Sequence, residues 1–283
     1  MENAQPITSI PSNPQPRITT GIESFDKFTG GGLTNSQCIL LAGLPGGGKS
    51  TMLLQLSKIF ANNNERVLYC SGEENLNQIK LRSDRLNTNF SNIYLSENTE
   101  LNHIYESIEK INPKIVIIDS LQMLWDNKVD EEQGSEGQVK SCFLDLVNYI
   151  KKTDKILITI GHANKANNVG GLLRLQHMCD SVFFIMVSRS RKDNSLTRTL
   201  IAMKNRFGGI DEPMNLTMTE QGFKELIQDY QQSKQTTSTE DYILLNGKPF
   251  TTIKQPKQLS IRNKISLWCM LIITIFILLC FIH

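Results

Sequence analysis

The sequence predicts an α/β fold: a mostly parallel sheet with helices on both faces and an antiparallel extension. Three observations carry that prediction. Six short apolar runs rich in β-branched residues alternate with segments of helical length. A glycine-rich loop, Gly43-Leu44-Pro45-Gly46-Gly47-Gly48-Lys49-Ser50, stands between the first run and a helix-like stretch. After Ser188 the pattern changes to polar turns between short strands, as expected of antiparallel pairing.

Taken in order, residues 1–17 are polar and contain Pro6, Pro11, Pro14 and Pro16, which predicts a disordered segment. They hold no cationic stretch followed by an apolar one, so no secretory signal is read there. The folded domain spans residues 18–230. Its predicted strands are 38–42, 66–70, 93–95, 115–118, 156–160 and 181–187, followed by antiparallel strands near 198–206 and 214–218. Residues 231–264 form a linker, first polar and of low complexity (QQSKQTTSTE), then basic.

From 265 to 282 run eighteen uncharged residues, mostly Ile, Leu and Phe. That is close to the ~20 that cross a bilayer, and predicts a single-pass C-terminal transmembrane helix in preference to a buried core helix. Lys254, Lys257, Arg262 and Lys264 precede it and only His283 follows, which predicts that the folded domain is kept in the cytoplasm.

The formal net charge of +2 includes five cations between Lys248 and Lys264 with no acid among them, so the remainder carries −3. Bulk charge therefore excludes a strongly basic nucleic-acid binder. Six cysteines contain no C-x-x-C pair, and several lie in apolar runs where a reduced thiol packs as a small hydrophobe.

The glycine loop fits G-x-x-x-x-G-K-[ST] in the context that pattern needs, after a strand and before a helix. Its backbone N–H groups, with Thr51 in the first helical turn, are candidates to cradle phosphates. Lys49 brings charge to the β- and γ-phosphates, and the Ser50 hydroxyl is a Mg²⁺ ligand. Asp119, closing the run Ile115-Val116-Ile117-Ile118, is the second candidate metal carboxylate, at the strand end where ligands of open α/β sheets gather. Glu73 and Glu74 follow another strand at the same edge; either can act on an attacking water, and both can equally be acids at a helix start.

Several further runs occur in order. They are Arg17-Ile18-Thr19-Thr20-Gly21-Ile22, Gly30-Gly31-Gly32-Leu33, Ser71-Gly72-Glu73-Glu74 and Gln78-Ile79-Lys80-Leu81-Arg82. Gly161-His162, Lys165, Gly170-Gly171, His177-Met178-Cys179-Asp180 and Lys204-Asn205-Arg206-Phe207-Gly208 complete the series. Together, over about residues 16–229, they resemble the ATPase core of the RadA family of bacterial DNA-repair proteins, also called Sms. The resemblance implies a RecA-like core that uses ATP and Mg²⁺ and assembles as a homo-oligomeric ring, a hexamer, with each nucleotide between neighbours. It favours Glu73 over Glu74 for the attacking water and implies single-stranded DNA as a partner in recombination or repair. Strand positions two apart share a face, so Lys204 and Arg206 project together and, by the resemblance, reach a neighbour's γ-phosphate. His162, at a strand end, is a candidate γ-phosphate sensor.

The family also carries a four-cysteine zinc module and a Lon-protease-like domain, and neither is found among these residues. The loop 164–175 contains only Lys165 and Arg174 as cations. Two rival readings remain: a KaiC-like or other RecA-type ATP-driven assembly switch at a membrane that moves no DNA, and a DnaB-type helicase relative, which the KNRFG and SGEE runs fit less well.

Overall fold

The computed structural model describes residues 4–12, 16–162, 175–189, 195–210 and 212–225, together with the backbone of 243–245 and 248–250. Within the unit Met1–Ser233 the elements run as follows. A 3-10 turn at Ile7–Ser9 precedes β1 (Arg17–Ile18), α1 (Glu23–Thr29), β2 (Leu33–Thr34), β3 (Cys38–Gly43), α2 (Lys49–Asn62) and β4 (Val67–Ser71). Then come α3 (Leu76–Leu86), β5 (Ile93–Ser96), α4 (Leu101–Ile111), β6 (Ile115–Asp119), a 3-10 turn at Leu121–Met123, α5 (Glu136–Ile150) and β7 (Ile156–His162). The extension is β8 (Ser181–Arg189), β9 (Leu196–Asn205), β10 (Met214–Thr219) and β11 (Gly222–Glu225).

Nine strands form one sheet in the order β11-β10-β9-β8-β3-β7-β6-β4-β5. Strands β8, β3, β7, β6, β4 and β5 are parallel, and β9, β10 and β11 extend the β8 edge antiparallel. The uninterrupted apolar runs follow from burial of both faces. Ile39, Leu41, Ile115 and Ile117 enter one core with Phe25 of α1, Leu53 and Phe60 of α2 and Ile79 of α3. Their neighbours Cys38, Leu40, Val116 and Ile118 enter the other, with Ile104 of α4 and Phe143 and Leu146 of α5. Side chains alternating at a period of two thus serve two cores from one strand. The four described cysteines, Cys38, Cys70, Cys142 and Cys179, are buried and form no disulfide.

Helix termini are set locally. Asn75 and Gln78 close a reciprocal capping box at α3, and the Ser135 hydroxyl accepts from the Gln138 N–H at α5. Asn87 and Asn112 end α3 and α4 in the left-handed conformation, which Asn tolerates.

Two differences from the sequence reading concern the ends. Arg17 pairs with Thr34 in a short antiparallel ladder, so it joins the folded unit. Within the expected linker, β12 (Ile243–Leu245) pairs antiparallel with β13 (Lys248–Phe250). In sequence those strands flank Asn246-Gly247, the dipeptide with the strongest two-residue hairpin preference. Among the described residues no helix is long and apolar enough to cross a membrane, and the expected span at 265–282 lies outside them. So do Lys165, Gly170, Gly171 and Arg174.

Candidate functional site

The carboxyl ends of β3, β4, β6 and β7 build one polar edge. Gly43 closes β3, in register with His162 on β7 and Ile185 on β8. The loop Leu44 to Gly48 then turns into α2. Gly48 sits at φ +98°, in the left-handed region, and a Cβ there would stand 2.5 Å from Met218 Cε and 2.7 Å from Phe223 Cζ. Only glycine fits that position. Lys49 is buried, and its Nζ donates to the carbonyls of Gly43 and Leu44, each at 3.0 Å. Burial pulls the Lys49 ammonium below its usual pKa, opposed by the charges of Asp119 and Glu73.

Asp119 ends β6 with its side chain buried. Tyr69 Oη donates to Asp119 Oδ2 at 2.6 Å, and the Ser50 side chain lies close enough to this carboxyl to favour its charged form. Burial pushes its pKa up, and the Tyr69 hydrogen bond and the Ser50 side chain oppose the rise.

Glu73 and Glu74 diverge. Glu73 Oε1 accepts from Ser120 Oγ and lies 2.7 Å from His162 Nε2. The hydrogen bond from His162 holds the Glu73 carboxyl below the ordinary range; burial opposes this, and the Ser120 bond and the His162 and Lys49 charges assist it. Glu74 turns to α3, where Arg82 Nη2 donates to it at 2.6 Å. Lys49, Ser50, Asp119, Glu73 and His162 therefore share one edge, while Glu74 is tied in an ion pair on the helix behind it.

Lys204 and Arg206 lie at the other end of the sheet. Lys204 is in register with Val182, three positions before the residue that pairs with Gly43, which is about 10 Å along the strand. Its Nζ donates to the carbonyls of Gln176, at 3.2 Å, and Cys179. Arg206 Nη1 donates to Asp180 Oδ1 at 2.9 Å, and Asp180 is nearly fully buried. Asn205 turns the opposite way, donating to the Phe28 carbonyl at 3.2 Å and accepting from Ser181 Oγ at 3.0 Å. Both cations are thus held by the turn that enters β8, away from the glycine loop.

Four contributors escaped the sequence reading. Tyr69 and Ser120 position Asp119 and Glu73. Arg198 on β9 donates from Nε to the Gly47 carbonyl at 3.3 Å, and Phe223 on β11 lies against Gly48. Only the long-range pairing of β8 with β9 and β10 with β11 brings the last two to the loop, and nothing in their local sequence signals it.

Comparison with known proteins agrees with this architecture. A family model described as "ATPase: KaiC" matches residues 18–103. The DNA repair protein RadA of Bacillus subtilis (strain 168) is 34% identical over 227 residues, which are 80% of this chain and 49% of that protein. RadA of Halalkalibacterium halodurans is 37% identical over 222 residues, 78% and 48% of the two chains. RadA of Aquifex aeolicus is 35% identical over 221 residues, 78% and 49%. The chain spans about half the length of the curated relatives it matches. Among solved structures, a KaiC-like protein from Pyrococcus horikoshii OT3 superposes with a TM-score of 0.62 at 20% identity, covering 75% of this chain and all of that one, which shows the same fold. The glycine loop, the nine-stranded sheet and the run of RadA relatives together show a RadA-like domain of the RecA-like P-loop kind.

Proposed function

We propose that this chain is a Mg²⁺-dependent ATP hydrolase of the RadA kind that acts on DNA in recombination or repair and is tethered to a membrane. The observation that carries the reading is the meeting of Lys49, the Ser50–Asp119 pair and Glu73 at one sheet edge. A hydroxyl and a carboxylate brought close together at strand and helix ends are hard oxygen donors, the set with which proteins hold Mg²⁺ beside phosphates. Bound there, Mg²⁺ neutralises charge on the phosphate oxygens.

The chain's own contributions follow from the geometry. Backbone N–H groups of Gly46 and Gly48 and the first turn of α2 bind phosphate oxygens, and Lys49 adds a cation in a partly desolvated place. Tyr69 orients Asp119. Glu73, kept ionised by His162 and Ser120, orients water and accepts its proton. His162 couples Glu73 to the end of β7. Lys204 and Arg206, held at the far sheet end, act on a neighbour's nucleotide in a homo-oligomeric ring, a hexamer by family likeness.

The membrane part rests on the eighteen uncharged residues at 265–282 and the cations before them. The match of residues 18–103 to the KaiC ATPase model favours a second reading, an ATP-driven assembly switch that moves no DNA. Phosphate release measured with and without single-stranded DNA separates them: stimulation supports the DNA-dependent motor, and an unchanged rate supports the switch.

A further inference from the structure

Two thiols that the nucleotide chemistry does not use lie in contact inside the core covered by α4 and α5. Cys38 opens β3, and Cys179 stands in the turn that enters β8. The Cys38 thiol donates to Cys179 Sγ at 3.8 Å, and the Cys179 thiol donates to the Leu175 carbonyl at 3.6 Å. The chain segments that carry them are joined as well. The Asp180 N–H donates to the Cys38 carbonyl at 2.8 Å, and the Cys38 N–H donates to Asp180 Oδ2 at 3.0 Å. Cys142 differs, since its thiol donates to Gln138 at 3.3 Å.

That arrangement suits a disulfide. An S–S bond is about 2.05 Å long, so the two sulfurs need to approach by less than about 2 Å, within reach of side-chain rotation and a small shift of the turn. The thiols are not equivalent. Cys38 lies in a strand paired on both edges, and its hydrogen bond to Cys179, with burial, pushes its pKa well above the usual thiol range. Cys179 is also buried, but it follows the exposed His177 in the turn, so local opening there brings Cys179 to solvent first. The same turn supplies the Cys179 carbonyl to Lys204 and the Asp180 carboxylate to Arg206.

We propose that Cys38 and Cys179 form an oxidisable dithiol that a hydroperoxide converts to a disulfide, and that this bond displaces the anchors of Lys204 and Arg206. The Cys179 thiolate attacks one peroxide oxygen, the O–O bond breaks, and the leaving oxygen takes up the proton that Cys179 gave up. The Cys38 sulfur then attacks the sulfenic sulfur, and its proton leaves with the displaced hydroxide as water. Two thiols and hydrogen peroxide thus give one disulfide and two waters, the thiols losing the two electrons that the peroxide gains. Drawing Cys179 toward β3 takes its carbonyl away from Lys204. The consequence for turnover rests on the proposed action of Lys204 and Arg206 on a neighbour's nucleotide, and the thiol chemistry does not.

The test treats the full chain with hydrogen peroxide, alkylates the remaining thiols after denaturation and maps cross-linked peptides by mass. A Cys38–Cys179 disulfide is expected, reversed by dithiothreitol, with Cys70 and Cys142 alkylated as in untreated protein. Phosphate release from Mg²⁺-ATP is expected to be largely lost with the cross-link and restored by dithiothreitol. Cys38→Ala is expected to keep its turnover through the treatment and to leave Cys179 as a sulfenic acid that dimedone traps. Absence of the cross-link, or oxidation of Cys70 and Cys142 as readily as the pair, overturns the dithiol, and this map of the wild type decides the matter even if Cys38→Ala does not fold. A cross-link with unchanged turnover, or a loss that dithiothreitol does not restore, overturns the effect on the two cations. An untreated wild type that hydrolyses no ATP refutes the hydrolase reading, while a mapped cross-link still upholds the dithiol.

Discussion

Glu73 and His162 leave the ends of β4 and β7 and meet with 2.7 Å between Oε1 and Nε2, reaching across β6, whose end carries Asp119 and Ser120. Three strand ends are thereby locked into one polar cluster. The His162 Nδ1 is buried with no hydrogen-bond partner among the described residues, so the ring has a second polar atom to offer inside the site.

Removing that contact changes the pH dependence of turnover. The His162 hydrogen bond is the largest cause of the lowered Glu73 pKa, so His162→Ala lets the pKa rise toward the ordinary 4.5. The carboxylate then becomes protonated at a higher pH as acid is added. The acid limb of the kcat profile is expected to move upward in the variant, in the window just below and around that ordinary value. An acid limb in the same place for both proteins contradicts the coupling.

Asp180 anchors the other end of the sheet. Its Oδ2 accepts from the Cys38 N–H at 3.0 Å while Oδ1 accepts from Arg206, and the carboxyl is nearly fully buried. Asp180→Ala leaves the buried Cys38 N–H unpaired, with an expected loss of about 1–3 kcal/mol in denaturant unfolding. Asp180→Asn keeps an acceptor and loses less. Equal stability of the three proteins refutes the anchoring role.

A shared active site is tested by mixing. Arg206→Ala subunits and Glu73→Gln subunits are each expected to be inactive and to regain partial hydrolysis together, at interfaces that pair an intact Glu73 with an intact Arg206. Mixed rings that form and stay inactive exclude action across the interface.

Tethering is tested by truncation before Ile265. The shortened chain is expected to be soluble and to keep its ATPase activity. The full chain should resist high salt and carbonate and yield to detergent. Recovery of the full chain in the soluble fraction without detergent defeats the membrane reading.

The central sheet was legible because both of its faces are covered. Runs such as Ile115 to Ile118 need no alternation when each side chain finds a core, and strand propensity plus length then suffices. Gly43 to Ser50 was legible because its chemistry is local. Glu73 and Glu74 could not be separated from the residues alone, since both are acids after one strand. What divides them is that Arg82, eight residues on, takes one, while Ser120 and His162, 47 and 89 residues on, take the other. Strand periodicity predicts a shared face for Lys204 and Arg206, but β9 ends at Asn205, and the anchors of the two cations at Gln176, Cys179 and Asp180 depend on how β9 returns beside β8. Arg198 and Phe223 carry no local signal, whereas the pairing of β12 with β13 was signalled by the Asn-Gly dipeptide between them in sequence, which low-complexity surroundings obscured.

The most direct measurement is steady-state phosphate release from Mg²⁺-ATP by the wild type, Lys49→Ala, Glu73→Gln and Glu74→Gln, with nucleotide binding measured alongside. Lys49→Ala is expected to abolish turnover, because the glycine loop alone does not neutralise the charge that shifts during transfer. Glu73→Gln is expected to bind ATP normally and lose about 10²–10⁴-fold in rate, the range for a lost general base. Glu74→Gln should keep most of its rate, since it gives up only the contact with Arg82. A wild-type rate in Lys49→Ala, or loss of turnover in Glu74→Gln with Glu73→Gln unaffected, contradicts the account.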